Sequence, residues 1–159
     1  MPLLRDYIAE HERAINFGGE AVRAIDRGDL ARAGHLLAEM ATALAAHWLG
    51  EETGLFRVMA REEMYAEHIT PLVREHRELA ELLATVDISS TDGQQAIREA
   101  VSDLYEHISK EEDGLFPASL TALDGDEWDA SIDAWHDAHP GRHMIAGRLS
   151  APPADPTNV

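Results

Sequence analysis

The chain has 159 residues, enough for one hydrophobic core and short for two, so the sequence predicts a single globular unit. Thirty acidic residues against thirteen basic ones give a formal net charge of -17, which disfavours nucleic acid and anionic membrane surfaces as partners because both would repel the protein. Cysteine is absent, which excludes disulfides and thiolate metal sites. With no leader pattern and no apolar run of membrane-spanning length, the expected location is the cytoplasm.

Apolar residues recur at helical spacing through most of the chain. The first helix is predicted over residues 2–27, and Gly28-Asp29 reads as a stop followed by an N-cap. A second helix should then run from Leu30 to about Ala60. After a polar stretch at residues 61–67, Thr70-Pro71 is expected to begin the third helix, since proline is tolerated in a first turn.

Two further helices follow a polar loop. Thr91 and Gln94 match a capping box, so a fourth helix is predicted to begin there and to end near Leu123. Residues 126–138 place their tryptophans and an isoleucine on one face, which predicts a short fifth helix. The fold class is therefore all-α, an antiparallel up-down four-helix bundle with a short additional C-terminal helix. The predicted organisation is a bundle at residues 1–123, a helical extension packed on it at 124–149, and a flexible tail at 150–159.

A ten-residue block occurs twice, as HWLGEETGLF from His47 and as HISKEEDGLF from His107. The spacing of four places Glu51 on the same helix face as His47, and Glu111 on the same face as His107. In both helices the rest of that face is apolar. The repeat therefore predicts two histidine and carboxylate pairs that point into the core.

The first and third helices each add a histidine to an apolar face, and a glutamate precedes each of them. Burying an ionised carboxylate without compensating positive charge costs roughly several kcal/mol. The two inward glutamates therefore predict that a cation is bound in this core. Imidazole and carboxylate together suit iron, manganese or zinc better than calcium or magnesium. Two divalent ions bridged by the two glutamates would each have four protein ligands and an open position for a small molecule. The predicted inward set is His11, His47, Glu51, His76, His107 and Glu111.

The order and spacing of these residues over positions 1 to about 120 resemble the hemerythrin-like family of HHE cation-binding bundles. The resemblance implies a four-helix bundle that holds two iron ions joined by an oxo or hydroxo bridge. It implies metal ligands at His11, His47, Glu51, His76, His107 and Glu111, with Glu51 and Glu111 bridging. Leu72 stands where the oxygen carriers of the family have a further histidine, so one iron is expected to be less saturated than in those carriers.

The implied function is that of a non-haem di-iron protein that binds or reacts with oxygen, peroxide or nitric oxide. Whether binding is accompanied by enzymatic turnover stays open. The alternative is iron storage or sensing, or a single-metal or zinc-stabilised helical protein without turnover, and the ligand set also accepts manganese. The expected partner is thus a small ligand, and the chain is expected to be a monomer or a homodimer.

Several neighbouring groups have two interpretations. Glu52 and Glu112 are either outer partners of the metal ligands or solvated surface charges, and the surface interpretation is favoured. Glu10 and Glu75 turn about 100° away from the inward row and are not expected to join it. His68 is a less favoured replacement ligand, because it lies two turns before His76 and ahead of Pro71.

The remaining histidines and aromatic residues are assigned more simply. His136, His139 and His143 are predicted to be surface residues, because Pro140-Gly141 breaks the helical spacing between them. His35 falls off the apolar face of its helix and is expected to be exposed. The aromatic residues near the inward row either line the metal pocket or serve only as core packing. They are Trp48, Phe56 and Phe116.

Overall fold

The computed structural model describes residues 1–145, and every regular element in that part of the chain is helical. Four long helices form an antiparallel bundle, and a further helix near the C-terminus packs against it. The predicted all-α bundle with an additional C-terminal helix is confirmed, whereas the predicted tail lies outside the described residues. The elements are α1 Pro2–Asp26, α2 Leu30–Thr53, α3 Leu55–Met59, α4 Glu63–Thr85, α5 Thr91–Lys110, a π-helical turn Glu111–Leu115, α6 Phe116–Ala122 and α7 Gly125–Ala138.

Side-chain caps define several helix starts. The carboxylate of Asp29 accepts a hydrogen bond from the Arg32 backbone N–H at 3.1 Å, so the predicted N-cap of α2 is confirmed. At α5 the predicted capping box is wrong by one residue, because Ser90 is the N-cap and its hydroxyl accepts from the Gly93 N–H at 3.0 Å. The reciprocal capping box lies instead at α7, between Asp124 and the residue three positions on.

The third long helix begins well before the predicted start at Thr70-Pro71. Helix α4 begins at Glu63 and carries Pro71 in its interior, so most of the stretch predicted to be polar connection is helical. Ile69 and Leu72 are buried on either side of the proline and anchor both adjoining turns in the core. Packing of these apolar side chains therefore outweighs the backbone hydrogen bond that proline cannot make.

Both copies of the repeated block interrupt a regular helix. The predicted continuous helix to Ala60 is wrong, because the chain breaks at Gly54 between α2 and α3. A Cβ atom at Gly54 would lie 3.0 Å from the Cβ of Ala134 and 3.1 Å from the carbonyl oxygen of Ser131, so the close approach of α7 requires glycine here. In the second copy the helix continues to Ala122, near the predicted end, but passes through the π-helical turn, an irregularity frequent at functional sites.

The core consists of two apolar clusters, one at each end of the bundle. The cluster nearer the C-terminal helix includes Leu3, Leu72 and Trp135, and the other includes Leu37 and Ile97. In α1 and α4 a buried histidine lies between the residues that enter one cluster and those that enter the other. In α2 and α5 the buried histidine lies near the end of the helix, and the segment that follows the helix supplies the residues of the second cluster. A polar layer therefore crosses the middle of the bundle. None of the helices in residues 1–145 is long and apolar enough to span a membrane.

Candidate metal centre

The structure brings all six predicted inward residues into this polar layer, and all six are buried. Each of the four bundle helices contributes one histidine. The two glutamates lie one turn after the histidines of α2 and α5, with the second at the start of the π-helical turn. The set is His11 from α1, His47 and Glu51 from α2, His76 from α4, and His107 and Glu111 from α5 and the turn that follows it.

Four of these side chains form the first group, with ligand atoms that all lie within 4.8 Å of one another. His47 Nε2 lies 3.3 Å from Glu51 Oε1, and His11 Nε2 lies 3.1 Å from Glu111 Oε2. Glu51 Oε1 is also 3.9 Å from His11 Nε2. Two imidazole nitrogens and two carboxylate oxygens thus converge on one point.

The second group consists of His76, His107 and Glu111, again with ligand atoms within 4.8 Å of one another. Glu111 Oε1 lies 3.0 Å from His107 Nε2 and 3.6 Å from His76 Nε2. Glu51 turns its Oε2 to the same side, 3.8 Å from His76 Nε2. Each of the two glutamates therefore presents one oxygen to each histidine pair, which is the arrangement that carboxylates bridging two metal ions require.

A second set of glutamates surrounds the histidines. Each of the four rings donates its Nδ1–H to a glutamate on another element. The rings of α2, α4 and α5 each bond to a glutamate of the bundle helix that precedes them in the chain, and the ring of α1 bonds to a glutamate of the π-helical turn after α5. Such outer hydrogen bonds fix the orientation and the tautomer of metal-binding histidines. The bonds are His47 to Glu10 at 2.9 Å, His76 to Glu52 at 2.9 Å, His107 to Glu75 at 2.7 Å and His11 to Glu112 at 2.7 Å.

These contacts change the interpretation of the outer glutamates. The prediction of solvated surface charges for Glu52 and Glu112 is wrong, because both are only 29% exposed and each accepts a histidine N–H. Glu10 and Glu75 stay out of the inward row, as predicted, but their function was missed. The sequence did contain a signal for this role, because a glutamate one residue before an inward histidine is turned about 100° from it and faces the neighbouring helix of the bundle.

The hydrogen-bonding pattern leaves the inner atoms without partners. Because a carboxylate only accepts, each ring carries its proton on Nδ1 and turns Nε2 inward. The Nε2 atoms of His76 and His107 lie 3.0 Å apart, where two bare lone pairs would repel each other. The inner atoms of the first group, namely Nε2 of His11 and His47 and both oxygens of Glu51 and Glu111, have no hydrogen-bond partner. A cation satisfies all of these atoms, so the residues present fit a metal centre.

The electrostatics agree with this fit. Burial opposes protonation of His47, but the charge of Glu51 and the hydrogen bond to Glu10 outweigh it and raise the pKa of His47 to about 10. Burial likewise opposes protonation of His76 and His107, but the nearby carboxylates of Glu111 and of the outer glutamates favour the protonated rings and raise the pKa of both. Burial favours the neutral acid of Glu111, but the three histidines around it hold its pKa well below the usual range. Without metal, protons occupy the positions that a cation would take.

Aromatic side chains enclose the layer. Trp48 stacks on His76 with ring centroids 4.8 Å apart, and Phe116 stacks on His11 at 5.8 Å. Phe56 also stacks on His76, so the aromatic residues line the site as well as packing the core. Sequence reasoning missed Tyr7, whose fully buried ring meets His47 edge-on at 5.4 Å and whose hydroxyl has no hydrogen-bond partner. Burial and then the charge of Glu51 raise the pKa of Tyr7 well above 10, so the phenol is neutral.

The other histidines separate into exposed and buried ones. His35 and His68 are exposed, and His68 lies in neither metal-binding group. The surface prediction is also correct for His136 and His143. For His139 the surface prediction is wrong, because this residue, the C-cap of α7, turns inward and is only 3% exposed. Spacing along one helix could not show this, since the ring packs against α1 and α2.

A cleft of about 270 Å³ between α4 and α5 reaches the second group. Its inner end is lined by His76, His107 and Trp48, and its walls include Leu79 and Leu104. Acidic residues dominate the remaining lining, so the cleft is negative where it meets solvent.

Comparison with known families agrees with this geometry. Residues 3–119 match the family described as the hemerythrin HHE cation-binding domain. Neither the curated proteins nor the solved structures contain a match to the chain.

Proposed function

Because the chain belongs to the hemerythrin HHE cation-binding family, we propose that its buried layer holds two iron ions and that these bind or react with a small ligand. The candidate ligands are oxygen, peroxide and nitric oxide. The proposed metal ligands are His11, His47, Glu51, His76, His107 and Glu111. Bound iron would supply the reversible change of oxidation state that such ligands require.

The orientation of the two inner glutamates supports the proposal most directly. Glu51 and Glu111 are fully buried, and each directs one oxygen to His11 or His47 and the other to the second histidine pair. A single ion would need only one of these clusters. Two clusters that share carboxylates therefore favour two ions over one.

The second group also supports a place for a small ligand. It has three ligand residues where the first has four, and Leu72 is buried in the apolar core one turn before His76. Trp48 and Phe56 both stack on His76, and Trp48 also lines the cleft that reaches this ring from solvent. A metal at this position would keep a coordination site for an incoming molecule.

The test is elemental mass spectrometry on untagged protein produced with sufficient iron and purified without chelator. Two iron ions per chain are expected, and the reduced protein should change its absorption spectrum when mixed with oxygen, peroxide or nitric oxide. Zinc, one ion per chain or none, or an unchanged spectrum with all three ligands, would refute the proposal. Product formation over many turnovers would distinguish an enzyme from a binding protein.

The position of the layer favours a second candidate function. Because the centre separates the two apolar clusters and contains unpartnered buried atoms, a bound metal would also stabilise the bundle. Iron storage or sensing, or a zinc- or manganese-stabilised helical protein, predicts a large loss of thermal stability on metal removal with no ligand reactivity. Thermal denaturation before and after chelation, run beside the spectral assay, separates the two functions.

A further inference from the structure

The C-terminal helix places a buried histidine against one of the outer glutamates. His139 Nε2 lies 2.6 Å from Glu10 Oε1, and the other oxygen of Glu10 accepts the Nδ1–H of His47 at 2.9 Å. His139 Nδ1 lies 2.7 Å from the carbonyl oxygen of Trp135, and its ring stacks on Trp135 with centroids 4.2 Å apart. A continuous chain of polar contacts thus leads from α7 through Glu10 to a proposed metal ligand.

We propose that His139 is a positioning residue, through which docking of the C-terminal helix holds Glu10 against His47 and so controls metal binding at the first group. The inference rests on the proposed metal centre. His139 itself lies outside residues 3–119, the part of the chain that matches the family.

Two contacts fix the orientation of the His139 ring. A backbone carbonyl accepts and does not donate, so the Nδ1 that meets Trp135 carries a proton. With Nδ1 held there, Nε2 points to Glu10 Oε1, while Oε2 of the same carboxylate meets His47. His139 is only 3% exposed and Glu10 is 10% exposed, so this orientation is set by packing inside the protein.

The other outer glutamates have no comparable support. Glu52 and Glu112 are 29% exposed, and within the described residues the salt bridge of each is to its metal-site histidine. Glu75 is 34% exposed and pairs with Lys110, which is itself 53% exposed and free to exchange the contact for water. Glu10 is 10% exposed, and the oxygen that faces away from His47 meets the buried ring of His139. His47 is thus the proposed ligand whose orientation depends on the C-terminal segment.

The packing of α7 is specific enough to carry this effect. A Cβ atom at Gly50 would lie 3.6 Å from the Trp135 Cα and 3.7 Å from the His139 Cε1, so α2 and the end of α7 are in direct contact. Beyond the helix, the Ile145 N–H donates to the buried carboxylate of Asp6 at 2.9 Å. Asp6 and Glu10 lie one turn apart on α1, so α1 holds the C-terminal segment at two points. Metal binding at the first group and docking of α7 must then strengthen each other.

Two substitutions separate the two hydrogen-bonding sides of His139. In His139→Asn the side-chain amide can still donate to the Trp135 carbonyl but cannot reach Glu10, whereas in His139→Gln the longer side chain can bring its amide to Glu10 in place of Nε2. The control is His136→Asn, because His136 is exposed on the same helix. Stepwise Co(II) binding to the full-length metal-free protein, in competition with a chelator, gives the affinity of each site. The hyperfine-shifted Nδ1–H signals of the loaded protein identify the site that contains His47.

We expect His139→Asn to weaken cobalt binding at the first group about tenfold, the lower end of the usual effect of outer partners, and to leave the second group unchanged. His139→Gln should restore most of the affinity, and His136→Asn should behave as the wild type. Equal weakening at both groups would make His139 merely structural and overturn the inference, as would wild-type affinity in His139→Asn. If His139→Asn does not fold, the test passes to His139→Gln. A folded His139→Gln that binds cobalt at the first group clearly more weakly than the wild type would then overturn the inference. A wild-type protein that binds no cobalt would refute the proposed function together with the inference.

Discussion

The substitution Glu111→Gln tests whether the buried layer is organised by its shared carboxylates. Glu111 is fully buried, and its oxygens lie 3.0 Å from His107 Nε2, 3.1 Å from His11 Nε2 and 3.6 Å from His76 Nε2. Glutamine keeps the volume and removes the negative charge. In the metal-free protein, the pKa of His76 and His107 is raised above the ordinary 6.5, so both rings are mostly cationic at pH 6 and the variant leaves buried positive charge without its partner.

Removing one member of a buried ion pair costs about 3–5 kcal/mol of unfolding free energy. We expect a loss in that range for metal-free Glu111→Gln in urea denaturation at pH 6. The matched control is Glu112→Gln at the next position, where the carboxylate is 29% exposed and accepts one hydrogen bond from His11. Its substitution should cost about 1 kcal/mol, the usual value for one hydrogen bond.

The same variant has a second readout in its metal content. Glu111 belongs to both groups of candidate ligands, so Glu111→Gln should lose the ability to hold two ions per chain. Equal stability losses for Glu111→Gln and Glu112→Gln, together with full metal content in both, would refute the reasoning that places Glu111 between two metal positions.

Three further predictions concern proton linkage, a buried hydroxyl and the outer glutamates. The pKa of His47 is raised to about 10 and that of Glu10 is lowered to about 2, so the metal-free protein should lose stability as the pH rises above about 6.5 towards 10 and as it falls below about 4.5 towards 2. Urea denaturation across this range checks the prediction, and a stability maximum near pH 9 would contradict it. Tyr7→Phe removes a buried hydroxyl without a hydrogen-bond partner and should stabilise the metal-free protein by about 1 kcal/mol in thermal denaturation, whereas a clear loss would mean that the hydroxyl has a partner. Glu52→Gln removes the carboxylate that accepts the His76 Nδ1–H and should weaken metal binding at the second group about 10–100-fold in chelator competition, with an unchanged affinity as the contrary result.

Periodicity was sufficient to predict the inward row of the candidate site. Whether His47 and Glu51 share a face depends on the rise and turn of one helix, and the apolar neighbours identify that face as the buried one. The same reasoning applied to His11 and His76, and the structure brings all of these side chains into one layer. The helical periodicity of apolar residues also predicted the all-α fold class and the C-terminal helix.

Element boundaries depended on packing that no local pattern records. Pro71 suggested a helix start, but the buried residues around it keep α4 continuous. Gly54 breaks the second helix where α7 comes closest, and the second copy of the repeated block forms a π-helical turn instead. The surroundings of the two copies differ, because a Cβ atom at Gly54 would touch α7 whereas one at the matching Gly114 would meet nothing within 4 Å.

The sequence by itself determined which side chains point inward, because a helix relates residues three and four positions apart whatever surrounds it. Only the tertiary structure decided how the outer shell is paired. The partners Glu10 and His47 are 37 positions apart, and Glu112 and His11 are 101 apart. Such contacts depend on which helices are neighbours and on their relative height in the bundle. The burial of His139 has the same origin, since the ring becomes inaccessible only when the C-terminal helix meets α1 and α2.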